Sequence, residues 1–301
     1  MKFRDVLALI VLVAVAIGGK VYRDRIDNPP LDRRPDQRLF EPPAARAPDL
    51  RVPDSRDEGP VLPRESLNDP ALIVKPETKR NSATGTAFSI NRDGVWFTAR
   101  HVTNGCDFVG LEKSAGRLVR VQRVSEYPSA DISILWTRGG SPAMPLGDPT
   151  LRVGQAGYSF GYPKGDPGDV YAKIIGRNRM LARGRYNTDE PVIAWTQVRR
   201  VPDIGSDLSG ISGGPWVNAA GEVIGIHVAG APRRGRSYST APRTMREAIG
   251  RAGVRPEADS GDLPAPATLT LGQFQTYGQQ LRRQLTVAKV ICLVGERWRR
   301  S

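Results

Sequence analysis

Cysteine and histidine are scarce in this chain, with two of each among 301 residues. Two cysteines are too few for a disulfide scaffold or a zinc ribbon, and two histidines leave little for a metal cage, so we expect no metal site. Acidic residues are outnumbered, since 44 Lys and Arg against 31 Asp and Glu give a net charge of +13. Such a charge favours anionic membranes, nucleic acid or acidic protein surfaces. Disorder of the whole chain is excluded, because 39% of the residues are hydrophobic and suffice for a core.

One long apolar run stands near the start of the chain, at residues 6–19. It is shorter than the roughly 20 residues of a membrane span but fits the apolar region of a secretory signal. The sequence AVA at residues 14–16 is similar to a cleavage site, whereas the basic residues that follow favour an uncleaved anchor. A buried segment of the fold is the third interpretation. We predict that residues 1–20 are a signal peptide or membrane anchor, and that the protein is periplasmic or secreted, held at the inner membrane by residues 6–19 if they are retained.

Composition separates the next part of the chain into a proline-rich segment and a segment with strand patterns. Residues 21–68 are rich in proline and alternating charges and lack an apolar period, so we predict a disordered linker. Residues 69–254 carry short apolar runs separated by turn signals, which predicts an all-β domain. Its clearest hairpin combines residues 84–90 and 95–99 around the turn at 91–94. Further strands are predicted at residues 117–124, 132–136, 170–175, 192–198 and 222–229, and a helix at Pro242–Ala252.

Three short motifs carry residues that act together in nucleophilic catalysis. Ser212 stands in the sequence GISGGP at residues 210–215, where a tight turn can expose its hydroxyl and aim the amides of Gly210 and Ser212 at one point, as an oxyanion hole requires. His101 follows the predicted strand at 95–99, and Asp131 opens the apolar run at 132–136. Each has an ordinary alternative: a glycine turn, a structural histidine or a turn aspartate. Together, in the order His, Asp, Ser, they supply a base, an orienting carboxylate and a nucleophile.

These motifs resemble the three signatures of chymotrypsin-fold (trypsin-like) serine proteases: TARH at 98–101, ADISIL at 130–135 and GISGGP at 210–215. The short His-to-Asp spacing and the sequence NAAGEVIGI at 218–226 are more similar to the bacterial HtrA/Deg and glutamyl-endopeptidase branches. The resemblance implies two six-stranded antiparallel β-barrels with the active site in the crevice between them. It also implies that Ser212 is the nucleophile, His101 the general base and Asp131 the residue that orients the imidazole.

The resemblance also implies a set of substrate-binding residues: Asp207, Ile226, His227, Val228 and Ala229. The strand from 226 to 230 would pair with an extended substrate and form a wall of the pocket for the P1 side chain. His227 is similar to the histidine with which glutamyl endopeptidases bind Glu, or it is an ordinary hydrogen-bonded strand residue. Asp207 would repel Glu and attract a basic side chain. We therefore make no prediction of P1 specificity.

Two features depart from the resembling families. Trypsin-type zymogens have an aspartate directly before the nucleophile, but Ile211 occupies that position, so this activation switch is absent. Residues 255–301 are too few for the PDZ domain of HtrA proteases. We predict that they form a proline-rich spacer and an amphipathic helical tail, with a helix from about 271 to 298. Its apolar face would contain Phe274, Tyr277, Leu281, Leu285, Ala288 and Cys292. We expect this face to dock on the protease domain, with adhesion of its basic end to an anionic membrane as the alternative.

Cys106 and Cys292 are the two cysteines of the chain. In an exported protein pairing is expected, and such a bridge would connect the tail to the first barrel. Because counting alone does not fix the connectivity, two free thiols are the alternative.

The sequence as a whole predicts an exported serine endopeptidase that cleaves protein or peptide substrates through an acyl-enzyme, without a metal or a cofactor. A protease-fold binding or scaffold module without activity is the first alternative. A nucleic-acid-binding protein is not favoured, because the basic residues are spread over the linker and tail as well as the domain, and no aromatic-basic surface is visible. We therefore expect no nucleic acid partner.

Overall fold

Most of the described chain is β-structure. The computed structural model describes residues 58–114, 117–203, 207–231, 235–257 and 268–295. The strands are β1 Ala71–Val74, β2 Ala83–Asn91, β3 Val95–Thr98, β4 Phe108–Ser114, β5 Arg117–Glu126, β6 Ser133–Thr137, β7 Ala156–Gly161, β8 Gly168–Arg183, β9 Asn187–Val201, β10 Pro215–Val217, β11 Val223–Ala231, β12 Arg236–Thr240 and β13 Val287–Leu293. The α-helices are α1 Arg100–Thr103, α2 Pro242–Ala252 and α3 Phe274–Arg283, and Pro163–Gly165 forms one 3₁₀ turn.

Six of these strands close into a barrel, in the order β13-β2-β3-β6-β5-β4. The predicted hairpin is confirmed as β2 and β3, and its turn requires glycine at position 94. There φ is +88°, and a Cβ atom would lie 2.7 Å from the Thr137 carbonyl oxygen. Alternate positions of β2 and β3 direct Phe88 and Phe97 into the core, where their ring centroids are 5.7 Å apart. This barrel carries His101 on α1, directly after β3.

A second sheet has the order β1-β8-β7-β10-β11-β12-β9, and β8 also pairs with β9. The six strands β7 to β12 therefore follow one another in a ring of pairings, all antiparallel, and β1 adds in parallel to β8. The predicted strands at 170–175 and 192–198 lie within β8 and β9. Trp195 and Trp216 stack in the core of this sheet with centroids 4.3 Å apart. The predicted helix α2 is present and follows β12.

The predicted helical tail is wrong in its second half. Helix α3 ends at Arg283, Leu285 adopts a positive φ of 60°, and Val287–Leu293 is the strand β13, which pairs with both β2 and β4. The apolar residues there fit a helical face as well as a strand. However, this segment is rich in β-branched residues, and two open strand edges provide hydrogen bonds that a helix would leave unmade. Ala288 and Cys292 are therefore buried in the barrel wall and not on a helix.

The first half of the tail docks on the second sheet, as predicted. Tyr277 meets Phe160 edge-on at 5.6 Å between ring centroids. A buried ion pair joins α3 to β8, because the Arg282 guanidinium donates to both carboxylate oxygens of Asp169 at 2.6 and 3.0 Å. Close packing requires Gly278 on this face, since a Cβ atom would lie 2.5 Å from the Asp169 carboxylate. The basic end of the predicted helix, residues 297–300, lies outside the described residues.

The predicted pairing of Cys106 with Cys292 is confirmed, with Cα atoms 5.5 Å apart. Cys106 follows α1, and Cys292 lies in β13. The bridge therefore connects the segment that carries His101 to the strand that closes the first barrel.

The chain contacts the second sheet before the predicted domain boundary at residue 69. Leu62 is buried in the core and its amide donates to the Leu151 carbonyl at 2.8 Å. The predicted signal or anchor at residues 1–20 and the predicted linker up to residue 57 lie outside the described residues. Within the described ranges, no helix combines the length and the apolar character that crossing a membrane requires.

Candidate active site

His101 and Asp131 form a preassembled pair in the first barrel. The His101 amide donates to Asp131 Oδ1 at 2.8 Å, and the imidazole Nδ1 lies 2.6 Å from Asp131 Oδ2. The fully buried strand β3 fixes the start of α1, so the backbone and the ring of His101 contact the same carboxylate. Since Nδ1 is held by Asp131, the other ring nitrogen, Nε2, is left to act as a base.

Two residues of the second sheet hold the same aspartate from the other side. The Tyr186 hydroxyl, in the turn between β8 and β9, donates to Asp131 Oδ1 at 3.1 Å. The Asp131 amide donates to Oε1 of Glu190, in β9, at 2.7 Å. Sequence analysis did not identify Tyr186 or Glu190, because nothing in the local sequence links this hairpin to Asp131.

The electrostatics of this cluster shift the pKa values of its three titratable groups in different directions. Burial alone would lower the pKa of His101, but the charge and hydrogen bond of Asp131 raise it above 6.5, while the charge of Arg185 partly opposes them. Burial raises the pKa of Asp131, but the charge and hydrogen bonds of His101 lower it. The pKa of this carboxyl therefore lies below its ordinary value. Burial, reinforced by the charge of Asp131, raises the pKa of Glu190 well above 4.5. Of the two carboxyl groups, Asp131 is therefore the one that ionises at lower pH, and Glu190 is the one that holds its proton to higher pH.

Left-handed glycines shape the loop that presents Ser212. Gly210 and Gly213 have φ values of +100° and +89°. A Cβ atom at Gly213 would lie 2.1 Å from the Thr86 carbonyl oxygen, so a side chain there is excluded. The Thr86 amide in turn donates to the Ser212 carbonyl at 2.8 Å, which fixes the loop against the first barrel.

The backbone amides of the loop at residues 210–214 differ in whether they donate a hydrogen bond. Those of Ile211, Gly213 and Gly214 donate to backbone carbonyls at 2.8 to 3.0 Å. Within the described residues, those of Gly210 and Ser212 donate no hydrogen bond. Two unbonded amides two positions apart, beside a serine hydroxyl, are the donors that an oxyanion hole needs.

One cleft of about 630 Å³ is lined by His101, Asp131, Gly210 and Ser212. The structure thus brings together the residues from all three motifs. Among the described residues, no hydrogen bond joins the Ser212 hydroxyl to the imidazole of His101. This contact is often loose in a serine protease without substrate and tightens when the substrate binds.

A smaller cavity of about 150 Å³ adjoins Ser212. Its lining includes Gln197, Asp207, Leu208, Ser209, His227, Gly230 and Arg236. His227 is buried and stacks on Trp216 at 5.8 Å. Burial lowers the pKa of His227 to about 3, so its imidazole is neutral and offers a substrate hydrogen bonds but no charge. Asp207 Oδ1 accepts from the amide and hydroxyl of Ser209 at 2.9 and 2.6 Å.

Strand β11 contains the other predicted substrate-binding residues. The His227 amide donates to Gly214 and its carbonyl accepts from Gly213, both at 2.8 Å, so its backbone is used by the loop of Ser212. Ile226 is fully buried, Ala229 pairs with β12, and Val228 lines the main cleft. Of these residues, Val228 is therefore the one that borders the cleft occupied by His101 and Ser212.

Residues 85–226 match the trypsin-like peptidase domain family. The chain is 32% identical over 156 residues to a probable periplasmic serine endoprotease DegP-like of Halomonas elongata, which covers 50% of this chain and 30% of that protein. It is 31% identical over 163 residues to the putative serine protease HhoA of Synechocystis sp., covering 52% of this chain and 39% of that protein.

Two solved structures are also similar. The active form of Rv3671c protease from M. tuberculosis has a TM-score of 0.49 and 18% identity, with 67% of this chain and 98% of that chain covered. The HtrA-type protease AlgW with a decapeptide has a TM-score of 0.46 and 25% identity, with 55% and 50% covered.

The fold and site define a mostly β protein with a closed six-stranded barrel and one cleft that is lined by residues of all three motifs. More particularly, residues 85–226 match the trypsin-like peptidase domain, and the chain is similar to serine proteases named DegP-like and HhoA. The chain spans between about a third and two fifths of the length of these two curated relatives. In the described part of the chain, no group of three or more His, Cys, Asp or Glu side chains is arranged to hold a metal ion.

Proposed function

We propose that this chain is an exported serine endopeptidase that hydrolyses peptide bonds in proteins through Ser212, His101 and Asp131. The observation that carries the proposal is the shared cleft, in which a preassembled His–Asp pair and a serine on a glycine turn line one surface. The family match supports the same chemistry, because the matched residues 85–226 contain all three motifs.

The proposed reaction begins when His101 Nε2 takes the proton of the Ser212 hydroxyl as its oxygen attacks the carbonyl carbon of the scissile bond. Asp131, bonded to Nδ1, stabilises the imidazolium that forms. The negative oxygen of the tetrahedral intermediate accepts from the amides of Gly210 and Ser212, and one such donor is worth about 3–4 kcal/mol of barrier. The imidazolium then protonates the leaving amine, and an acyl-enzyme remains. A water molecule, deprotonated by His101, releases the acid and restores the serine.

Export is part of the proposal. The apolar run at residues 6–19 provides a secretory signal or an anchor. The bridge between Cys106 and Cys292 is a feature of oxidising compartments. A relative named as periplasmic supports the bacterial periplasm.

The decisive experiment is labelling with a fluorophosphonate probe, which reacts with an activated serine. We expect the full chain to be labelled and to cleave an unfolded protein substrate. Ser212→Ala should abolish both activities, and His101→Ala should reduce labelling by about 10³-fold or more, since the nucleophile loses its base. Ser82→Ala is the matched control, because Ser82 lines the same cleft but its hydroxyl accepts from the Val294 amide at 3.0 Å and, among the described residues, forms no hydrogen bond with His101 or Asp207. A folded protein that is neither labelled nor proteolytic would instead be a binding module with a protease fold.

A further inference from the structure

Arg185 presents a guanidinium to the catalytic cleft that forms no ion pair within the described residues. It lies in the turn between β8 and β9 and lines the cleft with His101 and Asp131. Its Nε is shielded from solvent but has no hydrogen-bond partner within the described residues. A desolvated donor without a partner costs free energy. The guanidinium that carries this donor borders the cleft, so an anionic group bound in the cleft can pair with its charge.

The turn that carries Arg185 is held rigidly against the first barrel. The neighbouring Tyr186 hydroxyl is bonded to Asp131, and the Arg100 guanidinium lies 4.3 Å above the Tyr186 ring centroid. The turn that places Arg185 beside the catalytic pair is therefore anchored to the first barrel through Tyr186. Its charge reaches the imidazole, because it lowers the pKa of His101 in opposition to Asp131.

Among the described residues, neither carboxylate that lines the cleft pairs with this guanidinium. Lys75 and Lys79 line the same cleft, and its described carboxylates are Glu77 and Asp131. Glu77 accepts a hydrogen bond from a neighbouring side-chain amide at 2.6 Å, and Asp131 is occupied as described above. The cleft beside the catalytic pair is therefore positively charged overall.

We infer that Arg185 binds the carboxylate of an Asp or Glu side chain in the substrate. This residue would stand at P2, P3 or P4, the second to fourth positions on the N-terminal side of the scissile bond. This inference rests on the proposed function. Arg185 lines the main cleft, which Val228 also borders, and does not line the small cavity beside Asp207. Its subsite is thus distinct from the cavity available to P1. A planar guanidinium fork matches a carboxylate in two-point geometry, which a lysine cannot reproduce.

Matched peptide pairs test this inference with the full chain. A peptide found by cleavage profiling is synthesised with Glu or Gln at P2, P3 or P4, and kcat/KM is measured for each. We expect about a tenfold preference for Glu at one of these positions, as a charge-assisted hydrogen bond provides, and a smaller preference in high salt. Arg185→Gln should reduce the Glu/Gln ratio to about one, and Arg185→Lys should retain part of it. Arg183→Gln should not change the ratio, because the Arg183 guanidinium donates to backbone carbonyls of its own hairpin.

Failure of this inference can be told from failure of the proposed function. A wild-type protein that cleaves the Glu and Gln peptides equally at all three positions overturns the acidic subsite and leaves the protease standing. If profiling finds no cleaved peptide, binding of fluorescently labelled peptides that differ only in Glu or Gln to Ser212→Ala is measured by anisotropy. Tighter binding of the Glu peptide that Arg185→Gln abolishes supports the subsite, and equal binding refutes it.

Discussion

Replacing Tyr186 with Phe tests how strongly the second sheet contributes to the catalytic pair. The change removes one hydroxyl, which donates to Asp131 Oδ1 at 3.1 Å, and keeps the ring beneath the Arg100 guanidinium. A hydrogen bond to a charged group contributes about 1.5–3 kcal/mol. Asp131 keeps its two contacts with His101, so we expect a loss near the lower limit. The expected result is a kcat/KM about tenfold lower, equivalent to about 1.4 kcal/mol, and a comparable loss in unfolding free energy.

The pH profile distinguishes positioning from simple structural support. The Tyr186 hydroxyl is one of the groups that lower the pKa of Asp131. Without it the carboxylate is more basic and holds the imidazolium more strongly, so the pKa of His101 rises. Because the base must be neutral to accept the serine proton, the acid limb of kcat/KM should move to higher pH.

The measurement is kcat/KM against pH on one peptide, with urea denaturation in parallel. Tyr127→Phe is the control, since its hydroxyl contacts Glu247 at 3.5 Å on the surface. If Tyr186→Phe lowers stability but leaves both kcat/KM and the acid limb at wild-type values, the hydroxyl does not act through Asp131, and the reasoning fails.

Three further predictions concern stability. Replacing Cys106 and Cys292 with Ser opens a bridge between residues 186 positions apart and should lower the unfolding free energy by about 2–5 kcal/mol; an unchanged urea midpoint would contradict this. Asp169→Asn leaves the Arg282 guanidinium, whose side chain is 8% exposed, without its charged partner. The unfolding free energy should fall by about 3–5 kcal/mol. Adding Arg282→Met should recover most of that loss, and a purely additive double variant would refute the ion-pair explanation. The pKa of Glu190 is raised above its unfolded value of 4.5, so its ionisation destabilises the folded state as pH rises above that value. The unfolding free energy of Glu190→Gln should therefore increase relative to that of the wild type as pH rises. A difference in unfolding free energy that is constant with pH would count against the raised pKa of Glu190.

The catalytic candidates could be found from the sequence because each lies in a short motif whose local chemistry is distinctive. A glycine turn around Ser212, a histidine directly after a strand and an aspartate directly before one need no knowledge of distant residues. Tyr186, Glu190 and Arg185 are different. They meet Asp131 or its cleft only because β8 and β9 extend as a long hairpin across to the first barrel. A tyrosine, a glutamate and an arginine in a hairpin are unremarkable in sequence, so their roles follow from tertiary structure alone.

The tail shows the corresponding limit for the fold. Apolar residues at 274, 277 and 281 predicted a helix correctly, because Phe274, Tyr277 and Leu281 are buried on one face of α3. Extending the same period through Ala288 and Cys292 failed. A short apolar run satisfies helical and strand periods equally well. The deciding factor was the open edge of each of two strands, β2 and β4, which lie about 180 to 210 residues away in the sequence.

Strand β13 completes the first barrel, so the folded domain extends beyond residue 254 to include this strand. A chain that stopped at residue 254, where the sequence pattern of the β-domain ends, would lack β13 and would expose the edges of both β2 and β4. It would also lack Cys292 and therefore the bridge to the segment that carries His101. Strand β2 supplies Thr86, whose amide holds the Ser212 carbonyl at 2.8 Å. Loss of the last strand would therefore disturb the supports of both the base and the nucleophile, although neither residue lies in the deleted segment. The tail is part of the catalytic framework because the barrel that positions the active site closes only through it.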